Sequence, residues 1–92
     1  MKTDPILYCA NGTQKTVAPK NKKNFSLQEL QSFVGGYIEM VFISDSLVMV
    51  VNEEGKFEEL PINVRATEII RQAGIQDTIA GDALVCSSKL IK

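Results

Sequence analysis

The sequence predicts an α+β fold with a mainly antiparallel sheet and two short helices, in the order β-β-α-β-β-β-α-β. Three observations carry this. Short runs rich in Val, Ile, Leu and aromatic residues are joined by tight-turn signals. Two windows have helical periodicity, each preceded by a capping residue. With 92 residues, 45% of them hydrophobic, the chain has material for one core and one domain. Strands linked in hairpin runs, with helices interposed, favour segregation of both helices onto one face of the sheet.

The first strand is Ile6 to Cys9. Asn11-Gly12 follows, a pair suited to a two-residue turn with positive φ at both centres, and Thr13 to Val17 returns. Pro19 ends that strand, and Lys20 to Asn24 is a polar loop. Ser26 then stands as N-cap with Glu29 three residues later, the spacing of a capping box. Phe25 and Leu30 are placed for a hydrophobic staple across the cap. Leu27, Leu30 and Phe33 or Val34 share one helical face, and Gly35-Gly36 stops the helix. Tyr37 to Ile43 is a strand with Ile38, Met40 and Phe42 on one face and Tyr37, Glu39, Val41 and Ile43 on the other. Leu47 to Val51 is apolar on both faces, as expected of a central strand. Asn52 to Lys56 is a second hairpin turn with Gly55 in a left-handed position, and Phe57 to Leu60 is the strand after it. Asn63 caps the second helix, whose stripe is Ala66, Ile69, Ile70 and Ala73, and Gly74 closes it. Ala83 to Cys86 is the last strand, and residues 87–92 form a tail or its continuation.

Charge and composition narrow the function. Ten basic and eleven acidic side chains leave a net charge of −1, so no global field steers the chain onto DNA or an anionic membrane. The distribution is uneven: residues 1–23 carry a net +4, residues 24–64 a net −6 and residues 65–92 a net +1. Lys15, Lys20, Lys22 and Lys23 could form a basic patch, but a nucleic-acid partner is disfavoured beside ordinary solvation or attraction between opposite ends. The longest apolar run, Leu47 to Val51, is far too short to span a bilayer. Residues 1–5 do not open a signal-peptide core, so a cytoplasmic address and two reduced, buried thiols at Cys9 and Cys86 are expected. Histidine is absent, which removes the Ser-His and Cys-His arrangements and the usual zinc sites. No GxGxxG or P-loop string occurs, and Gly35-Gly36 follows a helix where an anion site needs a helix start. The acids Glu53, Glu54, Glu58 and Glu59 do not match a calcium loop.

Several blocks fall in a characteristic order: Phe25-Ser26-Leu27-Gln28-Glu29-Leu30-Gln31 into Val34-Gly35-Gly36-Tyr37-Ile38-Glu39, then Asn52 to Lys56, Leu60-Pro61-Ile62-Asn63, Ala66-Thr67 and Ile79 to Val85. This pattern resembles a domain-of-unknown-function family of phages, plasmids and integrated elements of bacteria, particularly gut bacteria. The likeness spans residues 5–86, with 87–92 as a tail and the N-terminal hairpin departing most. It implies a small intracellular accessory protein, with no catalytic residue, cofactor or substrate to carry over.

The expectation is therefore a non-catalytic binding or interaction module without metal or cofactor. Its candidate binding residues are Tyr37 and Glu39 on the mixed strand face, with Asn63 and Thr67 at the start of the second helix. Ser26, Glu29, Gly35, Gly36, Gly55 and Gly74 are expected to be structural. A protein partner, with a homodimer as one form, is expected. The alternative, drawn from the genomic setting the resemblance implies, is a protein that sequesters nucleotides against host defence.

Overall fold

The computed structural model describes residues 4–91; residues 1–3 and Lys92, which the leader and tail readings include, lie outside the described residues. The order is β1 (Ile6–Tyr8), β2 (Gln14–Thr16), α1 (Leu27–Val34), β3 (Ile38–Phe42), β4 (Leu47–Asn52), α2 (Val64–Gln72) and β5 (Ala83–Ser87), followed by a 3-10 turn at Ser88–Leu90. The five strands form one sheet in the order β2-β1-β5-β4-β3, antiparallel throughout. The α+β class and the antiparallel sheet are thus as the sequence predicts.

The helices do not share a face. Strand alternation sends Leu7, Val48, Val50, Leu84 and Cys86 to one side, where they meet Phe25, Leu30 and Val34 from α1 and its entry. Met49, Val51, Ala83 and Val85 point to the other side and meet Ala66 and Ile70 of α2 and Ile79. The reason lies in β4 and β5, which are apolar on both faces. A helix on one side alone would leave Met49, Val51 and Val85 in water. Covering such side chains is worth about 1.5–3 kcal/mol each, which outweighs any local preference for grouping the helices.

The predicted strand at Phe57 to Leu60 is absent. β4 already has β5 along one edge and β3 along the other, so a following hairpin strand has no edge to pair with. Residues 53–59 wind instead through turns, closed by the amides of Glu58 and Leu60 donating to the carbonyls of Glu54 and Gly55 at 2.8 and 2.9 Å. Phe57 is left 85% exposed. Gly55 is needed here for close approach, not for a left-handed conformation: a Cβ would lie 2.6 Å from the carbonyl oxygen of Ala80. The positive φ of this loop falls on Glu59, at 56°.

The first turn also differs from expectation. Gly12 has φ 96°, whereas Asn11 is not in the positive-φ region. The amide of Cys9 donates to Thr13 O and the amide of Gly12 to Cys9 O, which makes a three-residue loop with a glycine bulge. The remaining elements follow their sequence signals. β4 is the doubly covered strand that its composition predicts, with Val48 to Asn52 all buried. Of the tail, Ser87 continues the strand; beyond it the chain turns, and Ile91 bridges Phe25 while Leu90 O accepts from the Phe25 amide.

Candidate interaction surface

The approach to the surface begins at α1. Ser26 Oγ accepts from the Glu29 amide at 3.1 Å, and Glu29 Oε1 accepts from the Ser26 amide at 2.9 Å, completing the capping box. Glu29 Oε2 also accepts from the Lys20 amide. These amides, Ser26 first and Lys20 second, hold the Glu29 carboxyl below its ordinary value. Gly35, with φ 80°, ends the helix in a left-handed cap. Gly36 then passes against Asn52, whose Nδ2 would lie 3.0 Å from an added Cβ. Asn52 is buried, donates from Nδ2 to Val34 O, and accepts the Glu54 amide on Oδ1. One side chain therefore ties the end of α1 to the acidic loop, with the start of β3 between them. The sequence predicts Asn52 as a turn residue; its reach across 18 positions to Val34 has no local signal.

This junction delivers Tyr37 to the rim, 67% exposed, with its carbonyl accepting the Glu53 amide. At the other end of β3 the Ile43 amide donates to Leu47 O. With the register Ile38↔Asn52, Met40↔Val50 and Phe42↔Val48, these two bonds place the odd-numbered residues in contact with β4. The backbone N–H and C=O groups of Ile38, Met40 and Phe42 point outward, along an edge that no strand covers among the described residues. Phe42 is 66% exposed beside them.

The four sequence-predicted binding residues do not converge. Tyr37 borders a 290 Å³ depression with Gln31, Glu54 and Glu58. Glu39 lines a separate 290 Å³ groove on the α2 side with Val41, Lys56 and Phe57. An ion pair between Lys56 and Asp77 links the two loops bounding that groove. That pair holds the Asp77 carboxyl below its ordinary value, helped by the Thr78 amide. Asn63 and Thr67 are buried and bonded within the fold. Asn63 Oδ1 accepts the Ala66 amide, and Nδ2 donates to the carbonyls of Tyr8 and Gly81, both at 2.9 Å. Thr67 Oγ1 donates to Asn63 O and accepts the Ile79 amide. Their place is at the seam between α2, β1 and the irregular segment leading into β5, not on the surface of β3.

Gly74 stands one position beyond the α2 cap at Ala73, with φ 86°. Its amide and that of Ile75 donate to Arg71 O and Ile70 O, the paired bonds of a Schellman ending. Cys86 is buried and Cys9 half-buried, and both thiols are free. Cys9, Phe33, Leu60, Pro61 and Asp82 line a further groove of 440 Å³, which the sequence did not announce. Among the described residues, no group of three or more His, Cys, Asp or Glu side chains could hold a metal ion, and no helix is long and apolar enough to cross a membrane.

The fold and this surface define a small α+β domain with a helix on each side of its sheet and the β3 edge open beside an acidic loop. Within that class the chain belongs to the DUF3846 family: the family's model, described as a domain of unknown function, matches residues 2–90. The resemblance to a domain-of-unknown-function family read from the sequence agrees with this assignment. No curated protein and no solved structure matches the chain.

Proposed function

We propose that this protein is a non-catalytic interaction module that binds a protein partner through the surface around β3. The intracellular, mobile-element setting implied by the sequence resemblance belongs to the same proposal. The observation that carries it is the open edge of β3, where three residues present unpaired backbone groups between the exposed rings of Tyr37 and Phe42. Natural sheets usually cover, shorten or charge such an edge, because it is a template for pairing. Here the strand is five residues long, and Glu39 is its one charged side chain. Complementarity of shape and charge on a sheet margin, rather than bond-making chemistry, is the mechanism.

The double variant Tyr37→Ala/Glu39→Ala tests the reading. Both side chains are exposed, so the fold should persist by circular dichroism. Partner recovery in pull-down from the native host, or self-association in sedimentation velocity, should drop at least severalfold. Unchanged recovery and unchanged sedimentation would remove β3 as the working surface.

A further inference from the structure

The chemistry of the open edge also says what kind of chain would cover it, an inference that rests on the interaction-module reading above. A strand laid along β3 would bond the backbone groups of Ile38, Met40 and Phe42. Its side chains would then alternate between two surroundings. On the α1 side they would meet Ile38 and Met40, which pack against the core at its margin, and the exposed Phe42 ring. On the α2 side they would meet Val41 and the exposed carboxylate of Glu39. Glu53 pairs with Tyr37 at the strand's start, and Glu54 and Glu58 border the Tyr37 depression. Lys56, the one base between residues 24 and 64, is already paired with Asp77.

We propose that β3 accepts a sixth strand from a protein segment that alternates apolar and basic residues. The apolar set would lie against Ile38, Met40 and Phe42, and a basic side chain would sit across from Glu39 within the field of the acidic loop. A second copy of this chain suits the edge less well. Pairing β3 with β3 would bring together two segments that each carry a net −6 over residues 24–64.

The test uses the full chain and three end-blocked synthetic nonapeptides: alternating Val–Lys, alternating Val–Glu, and Val–Lys methylated on alternate backbone nitrogens. The expected result is at least tenfold tighter binding of the Val–Lys peptide than of Val–Glu by fluorescence anisotropy. The amides of Ile38, Met40 and Phe42 should slow in hydrogen exchange on binding, and backbone methylation should abolish it. Glu39→Lys, a change at an exposed position, should erase or invert the preference between peptides. Equal binding of both peptides, or protection that avoids these three amides, would overturn the proposal. Dimers of the free chain with the same three amides already protected would overturn it too, by giving the edge to a second copy, while leaving the interaction reading standing. Failure of every peptide, together with an inert Tyr37→Ala/Glu39→Ala variant, would remove both.

Discussion

Asn63 shows how much one amide side chain can hold. It caps α2 with its oxygen and satisfies the carbonyls of Tyr8 and Gly81 with its nitrogen, at 1% exposure. Replacing it with Ala removes the cap, worth about 1 kcal/mol, and takes one buried hydrogen bond from each of two carbonyls, at about 0.5–1.5 kcal/mol per bond. Asn63→Ala should therefore lose roughly 3 kcal/mol in urea unfolding. Asn63→Asp, which keeps the cap acceptor but loses both donors, should not recover it. The cap was legible in the sequence, because Asn precedes an apolar helical stripe. The two carbonyl partners, 55 and 18 residues away, were not, since nothing local in a sequence records which distant backbone a side chain will reach. That is why a residue read as a binding candidate lies inside the fold. The thiols divide in a similar way. Burial pushes the Cys86 thiol from 9.0 up to about 11, because the thiolate would have to form in the apolar layer under α1. The unfolded chain ionises this thiol near its ordinary value and the folded chain does not. Its contribution to stability is therefore complete below pH 9 and drains away as pH rises toward 11. At pH 8, iodoacetamide should modify the half-buried Cys9 in the folded protein and reach Cys86 only when urea opens the fold, as peptide mass mapping would show.

At the scale of elements, α1 is the piece most fully written in its own residues. Cap and glycine stop lie within residues 26–36 and form as their local chemistry dictates, and the two staple residues, Phe25 and Leu30, are both buried in the cluster beneath the helix. Glu29 makes the helix start sensitive to acid. Its carboxyl is held below the ordinary 4.5 by the amides of Ser26 and Lys20, so the stabilisation is present above that value and is lost as pH falls through the lower, folded-state value. Glu29→Gln should flatten the acid limb of stability against pH in urea titrations, while Ser26→Ala should lower stability by about 1 kcal/mol at neutral pH. The segment after β4 is the opposite case. Phe57 to Leu60 has strand-like composition, yet strand formation requires a free neighbour, and both sides of β4 are taken. The same limitation applies to the β3 surface. Tyr37 and Glu39 could be picked out as exposed, but the outward set of backbone groups follows from register, which the alternation of side chains does not reveal by itself.

For the molecule as a whole, the class of fold was readable and its layering was not. Alternating strands and capped helices specify α+β, whereas the side on which each helix packs depends on which faces of the central strands remain uncovered. The two-sided apolar character of Leu47 to Val51 and Ala83 to Cys86 was visible in the sequence, and a helix on each side was its physical consequence. The charge division survives folding as well. The basic β2 margin, carrying Lys15, and the acidic β3 margin lie at opposite ends of the sheet. The middle of that sheet has its own implication. β5 follows every other strand in the chain, yet it is the plank between β1 and β4, and without it the hairpins β1-β2 and β3-β4 share no strand pairing. A nascent polypeptide with everything beyond residue 82 still inside the ribosome tunnel would hold two unjoined ribbons, so folding of this sheet must wait until β5 has emerged. Chains arrested at residue 82 should be cut by protease throughout, and those released with residues 83–91 should resist.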